Sequence, residues 1–280
     1  MALPDFICIG AQKAGTSWLY QMLIQHPDLW FPPLKELHFF DRRDGGPKAR
    51  KVVATMVRIA KRRYHKENPS ESPEQIAAFE NYLATIAADD MLTETWYRRI
   101  FDYPAAATKV KGEITPAYLD LKQEKFDYAI KLLPPQTKFI AILREPLARS
   151  ISQLRMQIEA NKVDPQTEED WRKVMKGLKR VSRGDYQRCV PMWNSAAGKE
   201  RILYLPFSDV RERPQQLLST VEDYLGVSHF GSYRQFDEQI HVTKKVAIPD
   251  WVTKKLERQA EPQRAFLIET FGQEFYDKTK

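Results

Sequence analysis

Apolar residues along this chain follow two different periods. Short unbroken apolar runs bounded by turn residues lie at Phe6 to Gly10, Thr137 to Leu143 and Arg201 to Leu205, and these predict buried strands. Elsewhere the apolar positions recur at helical spacing. Trp18, Leu19, Met22 and Leu23 make one stripe, which His26-Pro27 ends. Leu217, Leu218, Val221 and Leu225 make another within Pro214 to Leu225, with Gly226 in the C-cap position. A terminal helix is predicted from Trp251 to Phe271, apolar at Trp251, Leu256, Phe266 and Leu267. From Lys48 to Thr108 the pattern is wholly helical, with Val52, Val53, Met56, Val57 and Ala60 on one side and Asn68 to Pro73 as an internal linker. Alternating strands and helices predict an α/β fold: a central parallel sheet with helices on both faces, in one domain over 1–280 carrying a helical insertion at about 48–108.

Composition allows this and narrows the ligand. A chain of 280 residues, 42% hydrophobic and 29% charged, can bury a full core as one domain. Its net charge of +7 favours anionic ligands. Cys8, inside the first strand, and Cys189, in a helical stretch, are too far apart in sequence to suggest a disulfide framework. The five histidines, at 26, 38, 65, 229 and 241, are scattered, so no metal site is expected. Neither a signal-peptide pattern nor a membrane-length apolar run is seen, and a cytoplasmic protein without integral membrane association is expected. Zinc-ligand, RNP and helix-turn-helix patterns are likewise not seen, so no nucleic-acid partner is expected. Arg58, Lys61, Arg62 and Arg63 beside the apolar stripe fit a solvated face, with recognition of an acidic acceptor, a membrane surface or nucleic acid as the alternatives.

Candidate chemistry begins where the first strand ends. Gly10-Ala-Gln-Lys13-Ala14-Gly15-Thr16-Ser17-Trp18 carries a strand through a glycine-bearing turn into a helix. In such a turn successive backbone N–H groups converge on an anion, and the helix adds its unpaired amides and positive dipole end. A Walker A loop, G-x-x-x-x-G-K-[ST], would match Gly10, Gly15 and Ser17, but Thr16 stands where its lysine belongs. The basic residue is Lys13, on the turn itself. A second strand–turn–helix follows at Ile142-Leu143-Arg144-Glu145-Pro146, with Arg149 and Ser152 in the predicted helix. There a guanidinium at a strand end can fork onto a phosphate while a helix hydroxyl adds a hydrogen bond. The alternative is that Arg144 is an ion-pair partner of Glu145 or another carboxylate.

These segments resemble sulfotransferases, which use the sulfuryl donor PAPS (3'-phosphoadenosine 5'-phosphosulfate). The displaced Lys13 is similar to their 5'-phosphosulfate loop, and R-x-P-x-x-R with a serine eight positions after the first arginine is similar to their 3'-phosphate site. Lys35-Glu36-Leu37-His38-Phe39-Phe40-Asp41 resembles the segment bearing the proposed catalytic glutamate in heparan sulfate O- and N-sulfotransferases. Lys111 to Tyr118 resembles their E-K-T-P-A-Y segment, and Arg183-Gly184-Asp185-Tyr186 followed by Trp193 resembles their R-G-x-Y…W order. The resemblance runs in order from about Phe6 to Val227. It implies a P-loop-like three-layer fold and transfer of a sulfuryl group from PAPS to a hydroxyl or amine.

Residue by residue, the resemblance implies that Lys13, Ala14, Gly15, Thr16, Ser17, Trp18, Arg144, Ser152 and Tyr186 hold the donor. Thr243, Lys244 and Lys245 stand where the family places a basic loop over the 3'-phosphate. Glu36 is the candidate base and His38 the competing one, since alternation in an extended segment would put both on one face. Glu113 and Thr115 are candidate acceptor-side residues. Ile114 replaces the family's basic residue, which favours a small hydroxylated acceptor, such as a lipid, glycoside or secondary metabolite, over a polysaccharide. Apolar and aromatic side chains of the insertion are expected to wall the acceptor cleft. A P-loop small-molecule kinase and a non-catalytic anion- or nucleic-acid-binding module are the alternatives. The oligomeric state is left open.

Overall fold

The computed structural model describes residues 2–43, 46–88, 90–179, 183–234 and 246–280. Among them five strands, β1 (Phe6–Gly10), β2 (Leu29–Trp30), β3 (Val110–Ile114), β4 (Lys138–Leu143) and β5 (Ile202–Pro206), form one sheet in the order β2-β3-β1-β4-β5, with every pairing parallel. Helices surround it, giving the three-layer α/β architecture. Every residue of β1 is buried, as is nearly all of β4, which explains why these two strands appear in the sequence as unbroken apolar runs. Each fully buried Ile or Phe contributes roughly 1.5–3 kcal/mol.

β2 and β3 carry no such signal. β2 has only two residues, and β3 is Val-Lys-Gly-Glu-Ile, whose buried Glu113 breaks the apolar pattern.

The helices follow in chain order: α1 (Thr16–Leu23), α2 (Phe39–Arg42), α3 (Gly46–Glu67), α4 (Pro73–Ile86), α5 (Glu94–Ile100), α6 (Gln123–Leu132), α7 (Pro146–Ala160), α8 (Glu168–Lys179), α9 (Tyr186–Ala197), α10 (Asp209–Glu212), α11 (Pro214–Leu225), α12 (Asp250–Phe271) and α13 (Gln273–Asp277). The stretch expected to be helical, 48–108, holds α3, α4 and α5. Ser72 closes a capping box with Gln75 at the start of α4, just after the predicted linker, and Tyr64 stacks on Phe79 at 3.6 Å to fix α3 on α4. The apolar side of α3 is only partly core. Val53 and Ala60 are buried, whereas Val52 is 39% exposed.

Two features of this frame position the site. β1 lies between β3 and β4, with the chain passing first to the β3 side and later to the β4 side, and this switch point is where a parallel sheet places a ligand crevice, at the C-terminal ends of β1 and β4. Leu154, Ile158, Trp171, Met175, Val252 and Leu256 form a second apolar cluster joining α7, α8 and α12. That cluster braces the helix bearing Ser152.

Candidate active site

The first anion turn is built by backbone conformation. Lys13 and Gly15 both adopt positive φ, 69° and 87°, which curls the chain between β1 and α1. A Cβ on Gly15 would also lie 3.2 Å from Val210, so glycine satisfies both the turn and the packing. The turn is tied down by Ala11 N–H donating to the Ile142 carbonyl at 2.9 Å and by Ala14 N–H donating to the Ala11 carbonyl at 3.2 Å. Gly15 is the N-cap of α1 and brings no side chain, so the first amides of the helix, at Thr16 and Ser17, face the anion position uncapped by a side chain. Ala14, Thr16 and Trp18 are buried, and Ala14 and Trp18 pack in the apolar core. Lys13 and Ser17 are half-buried.

The structure joins the two anion turns that the sequence separates by 131 residues. An Arg144 Nη1–H donates to the Lys13 carbonyl at 2.9 Å, and the guanidinium lies 4.3 Å over the ring of Phe207. Its Nε is buried with no partner among the described residues, an orphan donor of the kind an anionic ligand would satisfy. Burial, then the charge of Arg211, hold the Arg144 guanidinium below its ordinary pKa; burial, then Arg144, do the same to Lys13. Cations placed together against their own repulsion indicate an anion site.

Glu145 does not pair with Arg144. Its carboxylate accepts from Leu147 N–H at 3.1 Å and Ala148 N–H at 2.6 Å, capping α7, and accepts from Arg264 Nε at 2.7 Å. The alternative reading of Arg144 as Glu145's partner is thereby removed. Ser152 is half-buried on α7.

Tyr186 is fully buried and acts through Arg144: its hydroxyl donates to the Arg144 carbonyl at 3.1 Å and lies 3.3 Å from the Arg144 N–H. Gly184 fits because a Cβ there would come within 2.1 Å of Arg149 Nε. Arg149 is itself buried, donating to Gln153 at 2.7 Å and Ser150 at 3.3 Å. Through Gly184 and Tyr186 the R-G-x-Y segment supports the strand end that carries Arg144. Thr243, Lys244 and Lys245, with His241, lie outside the described residues.

Next to the first turn opens a cleft of about 530 Å³. Gln12 and Ser17 from the turn line one side, and Glu36 and His38 line the other. The Lys35–His38 segment is not a strand, and His38 sits at φ 55°, yet the two candidate bases still meet: His38 Nε2 is 3.2 Å from Glu36 Oε2. The other ring nitrogen, Nδ1, is 2.9 Å from Asp41 Oδ2. With a carboxylate at each nitrogen the imidazole is best served by two protons. Burial opposes charge on both groups. For His38, Asp41 and Glu36 outweigh it and raise the pKa; for Glu36, the His38 hydrogen bond and Lys35 outweigh it and hold the carboxyl below its usual range. Both shifts favour the carboxylate–imidazolium form of the pair.

Glu113 and Thr115 do not reach the cleft, being 1% and 0% exposed. Their expected place on the acceptor side is corrected to one beneath it. Glu113 accepts from Thr115 Oγ1 at 2.8 Å, from the Tyr118 hydroxyl at 2.7 Å and from the Tyr97 hydroxyl. Tyr118 in turn accepts the Phe39 N–H at 2.8 Å, and Phe39 stacks on Tyr97 at 4.3 Å. This relay holds the backbone immediately after His38. Burial pushes the Glu113 carboxyl up to about 7.

Sequence reasoning also missed residues. Asp41 closes the Lys35–Asp41 segment but was given no role there. Arg211 belongs to no motif; its one signal is its position just beyond the C-terminal end of β5. The insertion contributes Val52, Met56 and Arg63 to the cleft, and Arg42 and Arg183 join them. Arg58, Lys61 and Arg62 are exposed and are not among the lining residues. Of the insertion's lining residues Val52 and Met56 are apolar and Arg63 is cationic, and none is aromatic.

A parallel α/β sheet with paired cationic turns at adjoining strand ends, beside a cleft that holds a carboxylate and an imidazole, is the arrangement of a group-transfer enzyme. The family model "Sulfotransferase family" matches residues 4–231, and the chain belongs to that family. The sulfotransferase from Alicyclobacillus acidocaldarius is similar in structure, at 21% identity and TM-score 0.60, with 96% of each chain covered. So is the sulfotransferase domain of the Synechococcus PCC 7002 olefin synthase, at 15% identity and TM-score 0.56, covering 94% of this chain and 96% of that one. The sulfotransferase domain from the curacin biosynthetic pathway matches at 16% identity and TM-score 0.57, covering 88% and 81%. No curated protein sequence matches this chain. Among the described residues, no helix is long and apolar enough to cross a membrane, and no group of three or more His, Cys, Asp or Glu could hold a metal ion.

Proposed function

We propose that this sulfotransferase takes its sulfuryl group from PAPS and delivers it to a hydroxyl or amine in the cleft, with Glu36 as general base. One observation carries the reading: a single cleft brings Gln12 and Ser17 of the first anion turn together with Glu36 and His38. The donor's contribution is a sulfuryl group that leaves behind adenosine 3',5'-bisphosphate. The orphan Arg144 Nε, together with a Lys13 depressed by burial and by Arg144, and an Arg144 depressed by burial and by Arg211, fits such a polyanion.

The turn amides of Gly15, Thr16 and Ser17, with Lys13, would hold the phosphosulfate end and neutralise charge that grows as its bond to sulfur breaks. Arg144 and Ser152, with Arg211 nearby, would hold the 3'-phosphate and convert binding energy into alignment. Glu36 rests as a carboxylate, ready to accept a proton. An anionic donor and the expulsion of water both raise its proton affinity once the cleft is filled, which moves a weak base toward a working one. His38, clamped between Asp41 and Glu36, fixes the carboxylate's orientation. The polar relay through Glu113, Tyr118 and Phe39 keeps the segment in place.

The test is incubation of the purified protein with sulfur-labelled PAPS and a panel of hydroxyl and amine compounds. Label is expected in acceptor, with adenosine 3',5'-bisphosphate as co-product. Phosphoryl transfer from ATP with magnesium, and none from PAPS, would overturn the reading.

A further inference from the structure

The charge of the acceptor cleft points to more than a hydroxyl. Lys35, Arg42, Arg63 and Arg183 line it, and His38 adds a further positive charge in its protonated state. The carboxylates set against them are Glu36 within the cleft, Asp41 at 3.7 Å from Arg42, and Glu67 at 3.8 Å from Arg63. Positive charge is in excess, on the side where the acceptor must sit. Lys35 is 3.7 Å from Glu36, so it is already matched to the base. Arg63 is different. One of its N–H groups donates to the Pro33 carbonyl at 3.1 Å, which anchors a guanidinium that has five donors to offer. Val52 and Met56 of α3 add apolar lining to the same cleft.

From this arrangement we infer that the acceptor is a small anionic amphiphile, a hydroxy acid whose carboxylate is held by Arg42, Arg63 and Arg183 while its apolar body lies along Val52 and Met56. The inference rests on the sulfotransferase reading above and names the acceptor class for the same cleft. A carboxylate matches the planar fork of arginine in two parallel hydrogen bonds, and holding it at one end of the molecule fixes how far along the acceptor the reacting hydroxyl stands from Glu36. An uncharged alcohol would leave the guanidinium groups without that partner. A long polyanion would gain from the exposed Arg58, Lys61 and Arg62 as well, outside the cleft.

Matched pairs decide it. Alkyl and aryl hydroxy acids and their methyl esters are titrated by calorimetry into the protein saturated with adenosine 3',5'-bisphosphate, and the same pairs are assayed for PAPS-dependent sulfation. Acids are expected to bind about tenfold or more tightly than their esters, as a charged hydrogen-bond pair supplies. Arg63→Gln should shrink that preference several-fold, with bisphosphate affinity as the control for intact folding. Should the variant not fold, the wild-type salt dependence serves instead: acid binding should weaken with salt and ester binding should not. Equal affinity for acid and ester, or transfer confined to heparan-type oligosaccharides, overturns the inference and leaves the sulfotransferase reading standing. No bisphosphate binding and no transfer from PAPS to any compound overturns both.

Discussion

The proposed donor turns and the proposed acceptor cleft adjoin each other but are built by different means. The donor side is mostly backbone: positive-φ residues, uncapped helix amides and two strand ends, with Arg144 bonded to the Lys13 carbonyl at 2.9 Å. The acceptor side is mostly side chain, contributed by α1, the segment before α2, α3 and the stretch before α9. Backbone geometry confined to a few consecutive residues leaves its trace in sequence order. A wall assembled from separate elements does not. The same difference predicts that substitutions will divide cleanly, those on one side changing donor affinity and those on the other changing turnover and acceptor choice.

The largest expected effect is at Glu36. Glu36→Gln should lower turnover by roughly a hundredfold or more while leaving bisphosphate affinity nearly intact. The pH profile of kcat/KM, which reports the free enzyme, then separates the two candidate bases. Glu36 is held below the usual carboxylate range, so as base it keeps activity until the pH falls below that range. His38 is held above its ordinary value, so as base it would need activity to climb with pH through a point above 6.5. Normal turnover in Glu36→Gln beside an inactive His38→Ala would transfer the role to His38.

On the donor side, Arg144→Ala should weaken binding of adenosine 3',5'-bisphosphate by about 1.5–3 kcal/mol, the value of charged hydrogen bonds, and weaken AMP binding much less. Equal losses, measured by calorimetry, would mean that Arg144 acts only through the Lys13 carbonyl.

A smaller effect tests the polar relay beneath the cleft. Glu113 is raised from 4.5 to about 7 by burial, so its neutral form favours the fold below pH 4.5 and that advantage is lost as pH rises through about 7. The loss is of order 3 kcal/mol at about 1.4 kcal/mol per unit. Glu113→Gln cannot ionise, so its unfolding free energy should fall less than the wild type's between pH 5 and 8. Parallel denaturation curves for the two proteins across that range would refute a buried titrating carboxyl. Smallest of all, replacing Arg58, Lys61 and Arg62 together with glutamine should change donor affinity and small-acceptor turnover by less than about twofold, as expected of exposed charges outside the cleft.

The two arginine-bearing regions show how much could be read beforehand. β1, β4 and the turn holding Lys13 were legible because unbroken apolar strands run straight into short turn motifs. β3 was not, because its buried Glu113 is satisfied by hydroxyls from Tyr97 and Tyr118, partners set by tertiary packing. Glu36 and His38 were found as a pair on the argument of an extended segment. The pairing holds although the segment is not extended, since His38 reaches Glu36 through a left-handed residue and Asp41 fixes its far nitrogen. Arg63 was grouped with the exposed basic residues of its helix. Only its position on the helical face, against Pro33, separates it from Arg62 beside it.

Titration of adenosine 3',5'-bisphosphate into the purified protein, with and without magnesium and beside ATP, tests the paired-turn donor site most directly. The account predicts metal-independent binding of the bisphosphate, far tighter than ATP. Binding that needs magnesium, or that favours ATP, would contradict it.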